Sequence, residues 1–416
     1  MRCGTGSSRS EGERTPFTTL APLVGFAALL WLGCGEGAVA PERPDEAAAP
    51  PLILVTEDPS DAPISGLCPE WLARFARGDA RFELPFRAAQ GLGPLYIQHS
   101  CESCHEGDSR GPSVVTRLAL LHGDRSTVLP FGDVVRRRTI GGATPLLPAA
   151  DAPVRAETRL GPPLFGRGYI EAIADDTLLS WERAQAERDD GISGRAHRVE
   201  RASAVALPSW LPALGRFGLK ARLASLDEFV ADALVGDMGL TSPFRPTEPA
   251  NPDGLLDDDR PGVDVDLGQV AAITDYVRLL AIPGRESADP AGGALFEDLR
   301  CSVCHVPRAR TRSDHPIAAL AGVDVALYTD LLLHDMGAGL ADGIIEGQAS
   351  GREWQTPALM GIRHQRRLLH DGRAEGVEQA IEAHASEGSE ANDAVARFRA
   401  LSSADRARVV AFVEAL

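Results

Sequence analysis

The stretch GPLYIQHSCESCHEG, residues 93–107, returns two hundred residues later as GALFEDLRCSVCHVP, residues 293–307. No other feature constrains the chain as much as this repeated Cys-x-x-Cys-His. A Cys-x-x-Cys pair alone has three readings: a redox dithiol, half of a zinc site, or the thioether anchor of a c-type haem. The following His separates them. In haem attachment the two sulfurs bond the porphyrin vinyl groups, and the adjacent imidazole falls under the ring, where it ligates the iron. A redox dithiol wants a βαβ setting, which neither copy has. A single four-cysteine zinc site would need pairs roughly 15–20 residues apart, and it leaves both His unexplained. The spacing therefore predicts two covalently bound haem c groups. One is held by Cys101 and Cys104 with His105 beneath it, the other by Cys301 and Cys304 with His305.

The repeat extends past the anchors. PPLFG at 162–166 is echoed by PALMG at 357–361. Each half closes on a helical pattern: Val270, Ile273, Val277 and Leu280 share one face before the IPG break. Val409, Phe412, Val413 and Leu416 do the same after a Ser402–Asp405 capping signal. We expect a mostly α chain of two tandem cytochrome c-like domains, 64–284 and 285–416, with long polar loops. The first is enlarged by insertions such as ERDDGISGRAHRVERAS and NPDGLLDDDRPGVDVD, expected to run over its surface. Aromatic residues make up only 5% of the chain, so a large apolar cofactor would help fill two cores. A net charge of −17 and the near-absence of Lys argue against nucleic acid as a partner.

Residues 1–34 read as a signal peptide, with Arg2, Arg9 and Arg14 ahead of the apolar run LAPLVGFAALLWLG. WLGC resembles a bacterial lipobox, which would make Cys34 a lipidation site and the product a membrane-anchored lipoprotein. AVA at 38–40 is a competing cleavage site that would release a soluble protein. Either way the chain is expected to be exported, and the Pro-, Ala- and acid-rich stretch 35–63 reads as a flexible linker. Cys68 is left over, most simply as a buried free thiol.

Each iron has one further axial position. In VEQAIEAHA, Val377, Ala380, Ile381 and His384 fall on one helical stripe, so His384 is the candidate sixth ligand of the second haem. For the first haem the nearest candidate is His122, on a loop able to fold back over the ring; an exposed turn His is the competing reading. His99 lies too close to its anchor, and Met238 and Met336, both in DMG, read as core residues.

These residues carry a family likeness. The chain resembles the bacterial di-haem cytochrome c peroxidase superfamily, and most closely its di-haem oxidoreductase (putative peroxidase) branch. The likeness covers nearly all of the chain after about residue 64 and rests on GLGPLYIQHSCESCH, GPPLFGRGYIEAI, DDGISGR, LGRFGLKA, GDMGLTSP, CSVCHVP, YTDLLLHDMGAGLADG, GREWQTPALMGI and LHDGRAEGVEQAIEAH, taken in order. It implies two facing haem domains, the C-terminal haem receiving electrons from a small cytochrome or cupredoxin, the N-terminal one reacting with hydrogen peroxide. It places an axial ligand, usually Met, where His384 stands, and an acidic residue near the distal pocket at Asp237, a candidate proton shuttle. Departures have consequences. Leu219 replaces a common Trp, and the short acidic run before GISG weakens the case for a calcium ion. A His in place of Met lowers the second haem's potential. Two other functions stay open: a di-haem electron carrier without peroxidase activity, and a haem oxidase of an organic or protein substrate.

Overall fold

The computed structural model describes residues 62–105, 114–122, 125–127, 129–148, 154–200, 205–206, 208, 210–255 and 262–416. The expected signal peptide, Cys34 and nearly all of the linker lie outside the described residues. Up to residue 284 the elements are α1 (Pro69–Glu83), β1 (Leu95–Tyr96), β2 (Val114–His122), β3 (Arg125–Thr127), β4 (Arg138–Thr139), β5 (Val154–Leu160), α2 (Arg167–Ala172), α3 (Asp175–Ala186), α4 (Leu226–Met238) and α5 (Leu267–Leu279). Then follow α6 (Pro290–Asp298), β6 (Ala309–Arg310), β7 (Asp324–Val325), β8 (Leu333–Asp335), β9 (Glu353–Gln355), α7 (Val377–Ala383), α8 (Asn392–Ala400) and α9 (Ser403–Glu414).

Helices predominate, and the duplication seen in sequence is built into their packing. α1 crosses α5, and α6 crosses α9. Each crossing has a glycine at the point of contact. A Cβ on Gly78 would lie 2.2 Å from the Ala272 carbonyl oxygen of α5, and one on Gly292 2.5 Å from that of Arg408 on α9. No larger residue lets the helix axes come so close. The PPLFG and PALMG echoes then meet one another. Gly166 donates its N–H to the Leu280 carbonyl after α5, and Gly361 donates to that of Leu416 after α9. A Cβ on Gly166 would strike Met360 at 2.6 Å, and one on Gly361 would strike Phe165 at 2.7 Å. Phe165 and Met360 are both buried at this join. The two pentapeptides thus press on each other, and each is bonded to the end of its own half's closing helix.

The largest core cluster spans both halves, drawing Ile64, Phe75 and Tyr276 from one and Leu320, Val325 and Leu332 from the other. A second cluster lies wholly after residue 284 and includes Phe296, Ile362, Val377, Phe412 and Leu416. The closing helix behaves as its pattern predicts. Ser402 Oγ accepts from the Asp405 N–H at 3.1 Å, and Val409, Phe412, Val413 and Leu416 are buried.

Beside its helices the first half contains a three-stranded antiparallel sheet, β3-β2-β5, with Leu118 opposite Ala156 and Leu120 opposite Thr127. Its two longer strands are the runs VVTRLALLH and VRAETRL. Two expectations need correction. Residues 187–200 are not a surface loop: Ala196 and His197 are fully buried, and Arg195 and Leu333 exchange backbone hydrogen bonds. Cys68 is half-buried and disulfide-bonded, not a buried free thiol.

Charges are buried in paired form. Arg278 donates to Glu171 at 2.6 Å and to Asp227 at 2.6 Å, and lies 3.1 Å from Asp275. Lys220, the single lysine of the chain, is fully buried; it donates to the Ser350 carbonyl at 2.7 Å and pairs with Asp342 at 3.2 Å. Both sets tie separate segments together, and removing one partner of such a pair costs about 3–5 kcal/mol.

Candidate functional site

Both Cys-x-x-Cys-His motifs curl into the same turn. The His105 N–H donates to the Cys101 carbonyl at 3.0 Å, and that of His305 to the Cys301 carbonyl at 2.9 Å. None of these four cysteines is in a disulfide, and all four are half-buried. Burial, and secondly the neighbouring Cys104, push the Cys101 thiol up to about 12. Cys301 is likewise pushed up to about 12 by burial and then by Cys304. A redox dithiol needs a thiolate near neutral pH, so these pairs are unsuited to disulfide exchange.

The lead-ins differ. Before the second motif stands helix α6; before the first, β1 pairs with β4, Leu95 opposite Thr139. Where the second copy has GALFEDLR, a helix capped by Asp289, the first copy has Gly93-Pro94, and Pro94 lacks the N–H that a helix interior uses.

Around the second motif the side chains converge. His305 and His384 line one cleft of about 1040 Å³ of empty space and a second, contiguous one of about 840 Å³. Apolar groups dominate their walls, among them Leu359, Ile362, Leu368, Ile381 and Val413. His384 ends α7, and its Nδ1–H donates to the Ala380 carbonyl at 2.6 Å. The His305 Nδ1–H donates to the Tyr328 carbonyl at 3.1 Å. With each Nδ1 so engaged, each Nε2 is the nitrogen left to ligate a metal. Burial, then the nearby His384, lower His305 to about 4, and burial lowers His384. Both rings are therefore neutral near pH 7, as metal ligands must be. An apolar cleft lined by two imidazoles and by the thiols of Cys301 and Cys304 fits a haem.

Other candidates for that axial position are accounted for. His334 Nδ1 contacts Glu390 at 2.7 Å and its Nε2 contacts Asp330 at 2.9 Å, so neither nitrogen is free. Met360 is spent on the join between halves. Met336 is half-buried and lines the same cleft. Among the described residues there is one competing donor set: ligand atoms of Cys304, Asp330 and His334 lie within 4.8 Å of each other, a group able to hold zinc while Cys304 carries no haem.

The first motif has a different setting. His105 lies 6.3 Å, ring to ring, from Phe82, and a Cβ on Gly161 would sit 3.3 Å from its Cε1. GPPLFG thus runs past the first motif as TPALMG runs past the second. The C-terminal end of α4 lies against the segment leading into Cys101: the Ile97 N–H donates to the Asp237 carbonyl at 2.6 Å, and that of Gly93 to Met238 at 3.0 Å. Burial, then the Asp232 charge, push the Asp237 carboxyl up to about 7 against the opposing pull of Arg117 and Arg222. Its charge is also felt by Cys101 and by the buried Arg136. Met238 is buried core, as its sequence context suggests. His122 ends strand β2 with its backbone opposite Arg125, rather than lying on a folded-back loop; its side chain is outside the described residues.

A family model described as "Di-haem oxidoreductase, putative peroxidase" matches residues 147–416, a span that holds the second motif and begins after the first. No curated protein matches the chain. A solved chain titled Kuenenia stuttgartiensis Hydrazine Synthase Pressurized with 20 bar Xenon is 15% identical, with 92% of this chain and 100% of that chain covered. Its TM-score of 0.36 is too low to argue from.

Proposed function

The chain belongs to the di-haem oxidoreductase, putative peroxidase, family, and we propose that it is an exported enzyme with two covalent haem c groups that reduces hydrogen peroxide to water. Electrons would enter at the C-terminal haem from a small cytochrome or cupredoxin and pass to the N-terminal one. The supporting observation is the contrast between the two sites: His305 and His384 share one apolar cleft, whereas the first motif is approached by the end of α4 with the half-buried Asp237. Two tandem cytochrome c-like units are the natural reading of the paired helix crossings.

Bound haem supplies one-electron storage at each centre and an iron able to bind peroxide. The chain's own residues do the rest. Cys101 and Cys104, and Cys301 and Cys304, would anchor the groups; His105 and His305 would each ligate an iron, and His384 would be a further ligand at the second site. The Leu and Ile walls keep water from that cleft. At the first site Asp237 takes the proton from one peroxide oxygen and returns it to the other as the O–O bond breaks. Two electrons and two protons then balance one peroxide against two waters. Cys34 would carry a lipid anchor, placing the enzyme at a membrane of the envelope; His122 remains a candidate for the first axial position.

The oxidised protein's spin state tests this reading. One low-spin bis-imidazole haem and one high-spin or exchangeable haem, the latter altered by peroxide, are expected. Two low-spin haems indifferent to peroxide would mark an electron carrier.

A further inference from the structure

A further cavity lies apart from both motifs. It encloses about 1460 Å³ of space open to solvent, between the start of α1, Trp210 and the loop after β6. Leu67, Trp71, Trp210, Asp314 and His315 are on its walls. Trp71 and Trp210 are half-buried, so each offers part of its indole to the cavity. His315 is only 6% exposed and meets Trp210 edge to face at 4.8 Å.

The protonation of His315 follows from its neighbours. The Ile317 N–H donates to Nδ1 at 3.2 Å. Nδ1 also lies 3.3 Å from the Ile317 carbonyl; with the shorter N–H contact made, Nδ1 is the bare nitrogen of the neutral ring and Nε2 carries the proton. That Nε2–H is buried and has no acceptor among the described residues. An unmet buried donor is costly, so an acceptor brought by a ligand is rewarded. Burial lowers His315 to about 4, which keeps the ring neutral.

Charge narrows the ligand further. Guanidinium groups lie over both indoles, Arg74 4.5 Å from the Trp71 ring and Arg278 5.6 Å from that of Trp210. Both are already paired, Arg74 with Asp275 at 2.6 Å and Arg278 with Glu171 at 2.6 Å. Arg312 is held by Asp314 at 2.6 Å. An anion finds no free cation among the described residues here. A flat, neutral molecule with a carbonyl oxygen fits two indole walls and one N–H donor.

We propose that this cavity is a binding site for a small neutral quinone, held flat against Trp71 and Trp210 with a carbonyl oxygen on His315 Nε2–H. The quinone class is favoured among planar carbonyl compounds because rings lead from this wall to the first motif. Phe75, one turn past Trp71, lies 5.1 Å from Tyr276; Tyr276 lies 5.0 Å from Phe82, and Phe82 6.3 Å from His105. Binding itself does not depend on the haem reading.

Calorimetric titration of the purified, cofactor-loaded protein with duroquinone tests the site. Duroquinone is flat and neutral, and its ring positions are all substituted, so thiols do not add to it. Saturable binding is expected, about tenfold weaker in His315→Leu and Trp210→Leu, and restored in His315→Gln, whose amide keeps an N–H donor. An unchanged absorption spectrum shows that each variant has folded. No saturable binding, His315→Leu binding as tightly as wild type, or His315→Gln binding as weakly as His315→Leu would overturn the proposal.

Discussion

Asp237→Asn lowers peroxide turnover by about 100- to 10,000-fold, the usual worth of a positioned general acid–base, while both haems stay attached and the second keeps its spectrum. Burial is the cause. A carboxyl on the last turn of α4, among Asp232, Asp133, Arg117 and Arg222, is held at about 7. To accept a proton from peroxide it must first be ionised, so wild-type kcat/KM rises with pH through about 7. The Asn variant has no group titrating there and loses that limb. Linkage gives a second, independent sign. The folded pKa lies above the unfolded value of 3.8, so the folded chain holds more protons between 3.8 and about 7. Asp237 therefore removes stability as pH rises across that window, and Asn abolishes its share of the slope. Steady-state assays across that range, with thermal melts at the same pH values, read both effects. A variant with wild-type turnover and an intact acid limb would make Asp237 a mere helix-end residue.

His384→Ala converts the second haem from low-spin to high-spin and leaves the first unchanged. His384 stands at the end of α7 with Nδ1 fixed on Ala380, and truncation leaves nothing on that helix to replace Nε2. His334 is held by two carboxylates and Met360 by the join with Gly166. On the proposed electron path, peroxide turnover is expected to fall at least about tenfold, because electrons would reach the untouched first site through a disturbed second one. His384→Met keeps six-coordination where the thioether reaches, and it raises the potential by a visible part of the roughly 0.8 V that axial ligands span. Absorption spectra and a redox titration distinguish these outcomes. An unchanged low-spin spectrum in the Ala variant would make His384 a core histidine and turn attention to Met336, which lines the same cleft.

The second half was largely legible in the sequence and the first was not. A stripe at helical spacing brought Val377, Ala380, Ile381 and His384 to one face, and a Ser402 cap with four spaced apolar residues gave α9, because both signals are local. The PPLFG and PALMG echo was visible too, but not its meaning. That the two pentapeptides press on each other through Gly166 and Gly361 is a tertiary fact with no local signature. In the first half, insertion hid structure. The sheet β3-β2-β5 forms across a chain excursion, and its edges read as turn-rich polarity. Residues 187–200 carry four charges before GISG yet bury Ala196 and His197, because Arg195 finds Glu353 at 2.6 Å. Composition could not foresee that pairing. Likewise Lys220 reads as a surface residue until Asp342, far along the chain, is placed beside it.

Covalent attachment of haem at both motifs is the central claim, and intact mass of the purified, denatured protein measures that attachment directly. The expected result is a polypeptide heavier by two haem groups, with Cys101→Ala and Cys301→Ala each impairing a different attachment. The bare polypeptide mass with four titratable thiols, and zinc bound at Cys304, Asp330 and His334, would contradict it.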